Sequence, residues 1–239
     1  MSEHELFGNL AKYYDCLYSF KNYAAETNNI LALIHEAQPQ AKTLLDVACG
    51  TAKHLHYFKD YFDCVGMDYS ESMLALARAN EPMLEFFQGS MIDMCYPKTF
   101  DVITCLFSSI GYVTTDEALR QTWQTFYNHL NTGGVVVVEP WFSANNYRVG
   151  LPFSNHYEDN DLKITRMNVS KRRDDMAILD FHYLVAEKDK AVQYYHDSHE
   201  MRLVEPEHML SFMKAVGFEA SFHQEAPFEE RGMFFGNRR

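Results

Sequence analysis

Apolar positions along this chain alternate between a helical and a strand-like spacing. Over residues 23–36, Ala24, Ala25, Ile30, Leu31, Leu33 and Ile34 recur at helical intervals and Pro39 follows, which predicts a helix leading into a first strand. The run TLLDV at 43–47 breaks into small residues at 48–52 and resumes as HLHYF at 54–58, the pattern of strand, tight turn and helix. A second unit follows, with CVGMD at 64–68 as a strand, Ser70 as N-cap, a helix carrying Met73, Leu74, Leu76 and Ala77, and LEFF at 84–87 as a third strand. FDVITCLF at 100–107 and GGVVVVE at 133–139 read as fully buried strands on either side of an amphipathic helix at 117–130. Such alternation predicts an α/β fold with a parallel sheet and helices on both faces.

Beyond Pro140 the texture changes to polar-aromatic stretches. Period-two alternation at 178–185 and 198–203 predicts antiparallel strands, residues 206–216 a last helix with Gly217 at its C-cap, and residues 218–222 a strand closing the sheet. The expected organisation is a core with an N-terminal lid at 1–140, an antiparallel insertion at 141–200 rising over one edge, and completion of the core at 201–239.

The chain has 239 residues, 47% of them hydrophobic and 15% aromatic, enough for one sizeable core and too apolar for disorder. Its 21 Lys and Arg against 33 Asp and Glu give a net charge of −12, which opposes binding to nucleic acid or to an anionic membrane surface. The start carries no leader pattern and the longest aliphatic run, at 135–138, is too short to span a bilayer, so a cytoplasmic protein is expected. The five cysteines show no CxxC spacing and read as buried reduced thiols. His54 and His56 on one helix would point about 200° apart, so no metal site is expected there or elsewhere.

Ligands of such sheets bind beyond the carboxyl ends of the strands. That singles out Asp46, the small residues Ala48, Gly50 and Ala52, and a second acid, Asp68, 22 residues after the first. Small residues let the backbone approach a ligand, and a carboxylate ending the second strand can accept both ribose hydroxyls. The run DVACGTA lacks the G-x-G-x-x-G of dinucleotide sites, and Asp46 would sit badly beside a pyrophosphate. It suits a nucleoside cofactor with cationic groups, as in S-adenosylmethionine, with Ser90, Met91 and Ile92 placed to bracket an adenine.

These residues resemble class I S-adenosylmethionine-dependent methyltransferases. Within them the chain looks most like the N,N-dimethyltransferases of dTDP-linked 3-amino sugars of the desosamine and mycaminose type. The resemblance runs through Tyr14-Asp15, LLDVACGT at 44–51 with His54-Leu55, SxxMLALAR at 70–78, TCLFSSIG at 104–111, GVVVVEPW at 134–141, His182-Tyr183-Leu184-Val185-Ala186, Ser198-His199 and Arg231-Gly232. It implies a Rossmann-like class I methyltransferase fold, with a mostly parallel seven-stranded sheet plus an inserted antiparallel sheet that can pair two subunits into a homodimer. It places Tyr14 and Tyr23 over the cofactor, where a tyrosine face attracts a sulfonium. Tyr69, Met73, Leu106 and Phe107 join the cofactor set. On the acceptor side it implies Tyr112, Trp141 and Arg231, the last, after Glu230, suited to a diphosphate, and Arg148 and Arg166 of the insertion are further candidates to bind substrate.

Three departures stand out. Ala52 replaces the family's third glycine, which is expected to tighten the pocket; Ser90 replaces an Asp; and Tyr112 replaces a His that follows SSIG. Methyl transfer to an amine needs the free base, and Tyr112, His182 and Glu139 are candidates to take its proton, among which the sequence does not choose. The expected activity is methylation of an amine on a small molecule, foremost a dTDP-amino sugar. The alternatives are another small amine or hydroxyl acceptor, or a protein that binds S-adenosylmethionine without transfer.

Overall fold

Each apolar run predicted between residues 43 and 139 forms a strand: β1 (Thr43–Val47), β2 (Asp63–Asp68), β3 (Glu85–Gln88), β4 (Phe100–Cys105) and β5 (Leu130–Val138). In the computed structural model, residues 4–225 and 231–239 are described; residues 1–3 and 226–230, Glu230 among them, lie outside the described residues. The five strands pair in parallel in the order β5-β4-β1-β2-β3. Chain order therefore reverses between β1 and β4, the place where such sheets open a crevice beyond their carboxyl ends.

The helices are α1 (Tyr14–Leu17), α2 (Tyr23–Ala37), α3 (Leu55–Phe58), α4 (Glu71–Asn80) and α5 (Asp116–His129). Side chains cap three of them: Asn22 accepts from Ala25 N–H, Ser70 from Met73 N–H and Thr115 from Ala118 N–H. The sheet is buried on both faces. Leu45, Ile103, Val136 and Val138 pack with Trp123 and Phe126 of α5 on one face. Leu44, Val102, Val135 and Val137 pack with Ile30 and Ile34 of α2 and with Leu55 and Phe58 of α3 on the other.

Strand β4 stops two residues short of the predicted run because Phe107 and Ser108 both adopt left-handed backbone conformations, φ 54° and 64°. Ser108 donates its hydroxyl to Pro140 C=O, and Phe107 N–H donates to the Glu139 carboxylate, which holds this costly turn in place. The turn then feeds a short 3-10 helix, residues Ser109–Tyr112.

A second, antiparallel sheet is built from β6 (Pro152–Glu158), β7 (Leu162–Val169), β8 (Lys171–Arg173), β9 (Met176–Glu187) and β10 (Gln193–Arg202). Its inner face packs Ile164, Leu179, Phe181, Tyr183 and Met201 against Leu6, Leu10, Tyr13 and Leu17 of the N-terminal segment. The chain then returns through α6 (Pro206–Ala215) to β11 (Phe218–His223) and β12 (Met233–Arg238). β11 does not itself join the parallel strands; β12 inserts between it and β5, antiparallel to both, and completes a mostly parallel seven-stranded sheet.

Among the described residues no helix is long and apolar enough to cross a membrane. Cys49, Cys64 and Cys105 are buried as expected, whereas Cys16 is half-buried and Cys95 exposed, and all five are free thiols. His54 and His56 turn to different carboxylates, Glu26 and Glu81, and so do not converge.

Candidate active site

The carboxyl ends of β1, β2 and β4, the N-terminal segment and the inner face of the antiparallel sheet enclose one cavity of about 820 Å³. Its floor is the turn after β1. Ala48, Gly50 and Ala52 all have positive φ, near 59°, 56° and 68°, so alternate residues reverse the backbone and wrap it across the strand ends. Only glycine adopts this conformation without strain, and the two alanines each carry a cost of roughly 1–2 kcal/mol. Ala52 does not line the cavity. Its methyl is buried among Leu55, Leu74 and Ala77, so the exchange costs backbone strain and leaves the pocket wall unchanged.

Two carboxylates face the cavity from the strand ends. Asp68 accepts from Gly50 N–H at 2.8 Å and from Ser70 N–H at 2.9 Å, which fixes the turn to the end of β2. Asp46 is almost wholly buried, and burial pushes its pKa up to about 6 despite the nearby His54 and a hydrogen bond from Thr104 at 2.7 Å. A buried carboxylate facing a cavity with no cation hydrogen-bonded to it among the described residues fits a ligand that brings its own positive charge. Tyr14, Tyr23, Tyr69, Met73, Ser90, Met91, Ile92, Leu106 and Phe107 complete this end. Ser90 bonds inward, accepting from Ile92 N–H at 3.2 Å and so closing the 90–93 turn.

The far end is aromatic with a few polar groups. Tyr112, Trp141, Phe142, Tyr147, Phe153 and Phe181 line it, with Arg166, Asn168 and Arg231. Arg166, 4% exposed, donates to Tyr18 OH at 2.8 Å and lies between the Tyr18 and Phe181 rings. Among the described residues four buried polar atoms here have no hydrogen-bond partner: Arg166 Nε, Asn168 Oδ1, Trp141 Nε1 and Tyr147 OH. Orphans of this kind are rare in a native interior and together mark where a polar ligand docks. Arg231 donates to Glu139 at 2.5 Å, so part of its guanidinium is committed before any ligand arrives. The same pairing occupies Glu139, whose other oxygen accepts from Phe107 N–H, and withdraws it from proton transfer.

The cavity thus gathers the residues singled out from the sequence except Ala52, Glu139, Arg148 and His182. Period-two alternation along β9 turns Phe181 and Tyr183 inward and His182 out, where it hydrogen-bonds Tyr194 OH at 2.7 Å on the exposed face. It cannot reach an acceptor in this cavity. In its place the structure brings His199 and Asp197, both buried on β10, behind Tyr112.

A methyltransferase domain family matches residues 44–134, the stretch from β1 into β5. The dTDP-3-amino-3,6-dideoxy-alpha-D-glucopyranose N,N-dimethyltransferase of Streptomyces fradiae is 34% identical over 232 residues, 96% of this chain and 91% of its own length. This chain belongs to the dTDP-amino-sugar N,N-dimethyltransferases. The crystal structure of Streptomyces venezuelae DesVI superposes with a TM-score of 0.90 at 33% identity, covering 96% of this chain and 98% of that one. CalS10 of Micromonospora echinaspora, an amino pentose methyltransferase solved with S-adenosylmethionine bound, matches at TM-score 0.83 and 27% identity over 92% of each chain.

Membership in this family makes the chain an S-adenosylmethionine-dependent methyltransferase. The cofactor requirement agrees with the electrostatics of the near end, where the buried Asp46 faces the cavity with no cation hydrogen-bonded to it among the described residues. Tyr112 has the most consequential surroundings of the three departures from the family pattern, because its hydroxyl meets the His199 ring at 2.6 Å.

Proposed function

We propose that this chain transfers methyl groups from S-adenosylmethionine to the amine of a dTDP-linked amino sugar. One observation carries the reading furthest: a single cavity joins a buried, cation-seeking carboxylate at one end to a set of unpaired polar atoms among aromatic rings at the other. When bound, the cofactor supplies an activated methyl on a sulfonium, so the protein has mainly to align and desolvate. Asp46 and Asp68 would hold its methionyl cation and ribose, with the 90–92 turn along the adenine. Tyr14 and Tyr23 close over it from the N-terminal segment and exclude water. Arg166, Asn168, Trp141 and Tyr147 would receive the sugar and phosphate oxygens, and Arg231 the diphosphate. Tyr112 stands at the amine.

In this reading residues 1–140 and 201–239 form the cofactor-binding part and 141–200 the cover of the acceptor. The outward face of the antiparallel sheet exposes Met167, Val169, Leu184 and Tyr194, an apolar surface of the kind buried in a homodimer. The net charge of −12 supports an enzyme that binds neither nucleic acid nor an anionic membrane surface, and the reading is of a cytoplasmic one. Calorimetric titration with S-adenosylhomocysteine, with and without a dTDP-amino sugar, tests the paired sites. Micromolar binding that strengthens when the nucleotide sugar is present is the expected result; binding indifferent to it would redirect the acceptor to another small amine.

A further inference from the structure

Behind the acceptor end Tyr112 leads into a connected pair of polar side chains that the cofactor and sugar contacts leave unused. Tyr112, at the end of the 3-10 helix, reaches His199 Nδ1 at 2.6 Å, and His199 Nε2 reaches Asp197 Oδ2 at 2.8 Å. The same Asp197 oxygen accepts from Leu6 N–H at 2.9 Å, and His4 lies beside its other oxygen at 3.4 Å. His199 is fully buried, while its ring still borders the cavity together with Tyr112.

The order of donors follows from the chemistry. A carboxylate only accepts, so the proton between His199 and Asp197 sits on Nε2. Nδ1 is then bare, and the Tyr112 hydroxyl must donate to it. Among the described residues His199 is the one hydrogen-bond partner of that hydroxyl, whose remaining lone pairs can accept from a group in the cavity.

We propose that Tyr112, His199 and Asp197 form a proton relay for the acceptor, with Tyr112 the catalytic residue that touches the amine and His199 and Asp197 the positioning residues behind it. The proposal rests on the amine-methylation reading above. In the relay the acceptor ammonium gives its proton to the Tyr112 oxygen as the Tyr112 proton passes to His199 Nδ1, leaving a free amine and an imidazolium. The imidazolium keeps its Nε2 proton on Asp197. The amine lone pair then attacks the methyl, and the sulfonium leaves as a neutral thioether. When product departs and water enters, the chain runs backwards and is reset. A second methylation starts from a secondary ammonium and needs the same step again.

The surroundings suit these roles. Tyr112 is faced by His4, Tyr14 and Tyr18 of the N-terminal segment, Arg166 of β7, Tyr183 of β9, and His199 and Asp197 of β10; burial holds its hydroxyl well above its usual pKa, so it passes protons without ionising. His199 is faced by Asp197, His4 and Arg166. Burial lowers its pKa further than Asp197 raises it, which keeps the ring neutral near pH 7, so that Nδ1 carries a free lone pair towards the Tyr112 hydroxyl. Asp197 stays ionised because the hydrogen bonds from His199, His4 and Leu6 N–H outweigh the opposing effect of burial.

His4, Asp197 and His199 also lie close enough together to suggest a metal site. The rings exclude it. The His4 and His199 imidazoles stack at 4.1 Å, only 10° from parallel, and two stacked rings cannot both aim an in-plane nitrogen at one ion about 2.1 Å from each.

The test compares pH profiles of methyl transfer to a dTDP-amino sugar for the wild type, Tyr112→Phe and His199→Gln, alongside their affinity for S-adenosylhomocysteine. An alkyl ammonium titrates at roughly pH 8–10, so a wild type that uses the relay keeps its rate near pH 7. The variants should lose on the order of 100-fold there, regain about tenfold per pH unit towards pH 9, and bind S-adenosylhomocysteine within about twofold of wild type. Parallel profiles, or variants as fast as wild type near pH 7, would overturn the relay. Long-range 1H–15N spectra of histidine-labelled protein check it without any acceptor: the Nε2–H tautomer at His199 is expected, and Nδ1–H would overturn the proposal. A wild type that methylates no amine counts against the function reading instead, and the tautomer still decides the relay.

Discussion

The Thr51 hydroxyl donates to the Asp15 carboxylate at 2.6 Å across 36 residues of sequence, joining the turn after β1 to the N-terminal segment that closes the cavity. Lys53 reaches the other oxygen of the same carboxylate at 3.0 Å, and Ser70 donates to Phe7 C=O at 2.6 Å from the far side of the turn. The lid is thus fastened to the parts that hold the cofactor. Asp15→Asn should weaken S-adenosylhomocysteine binding by about 1 kcal/mol, near fivefold, with little change in thermal stability. Calorimetric titration beside a thermal melt checks this, and an unchanged affinity would show that the tie does not order the lid.

Asp46 predicts how cofactor binding depends on pH. Burial raises its pKa to about 6, so the empty site is protonated below that pH and ionised above it. A cationic ligand binds the ionised form, and affinity for S-adenosylmethionine should rise between pH 5 and 7 and level off beyond. Folding runs the other way. A carboxyl whose pKa is raised on folding stabilises the empty protein below its unfolded value, and that contribution is lost as the pH climbs through about 6. Asp46→Asn should abolish the inflection and weaken binding on the order of 10- to 100-fold.

At Ala52 two effects of similar size oppose each other. Its left-handed backbone, φ 68°, costs roughly 1–2 kcal/mol relative to glycine. Its buried methyl contributes about 0.8 kcal/mol. Ala52→Gly should therefore be neutral or stabilising by up to about 1 kcal/mol, and should leave cofactor affinity unchanged because the methyl lies outside the cavity. Chemical denaturation measures the first, titration the second.

Arg166 separates acceptor recognition from cofactor binding. Arg166→Lys keeps the charge and loses the planar fork, with its Nε, between Tyr18 and Phe181. The expected outcome is a KM for the nucleotide sugar raised about tenfold, as for one charge-assisted hydrogen bond, with S-adenosylhomocysteine binding held within twofold.

Much of this was legible in the sequence because burial on both faces leaves unbroken apolar runs at 100–107 and 133–139, and because ligand-binding acids sit where such runs end. Asp46 and Asp68 were visible on that rule alone. β12 was not: Met233, Phe234 and Phe235 give only three apolar residues before Gly236, too short a run to announce a strand. The turn at Phe107 and Ser108 was hidden because neither residue type favours a left-handed backbone, and the hydrogen bonds that impose it come from residues 139 and 140.

Alternation could have settled the histidines. Phe181 and Tyr183 on one face force His182 to the other. By the same rule Asp197 and His199 share a face with Met201, while Ser198 and Glu200 point to solvent. A carboxylate and an imidazole at successive core positions of one strand are a signal that they are paired with something functional. What no pattern could supply is the closure of that pair on Tyr112, 87 residues away.

The central claim is that one cavity delivers a methyl from S-adenosylmethionine to the amine of a nucleotide-linked sugar. Incubation of the purified protein with S-adenosylmethionine and a dTDP-3-amino sugar, followed by mass analysis of the sugar nucleotide, tests it most directly. The account predicts products carrying one and then two added methyl groups on nitrogen, formed in step with S-adenosylhomocysteine. An unmodified sugar nucleotide in the presence of a protein that binds S-adenosylmethionine would contradict it.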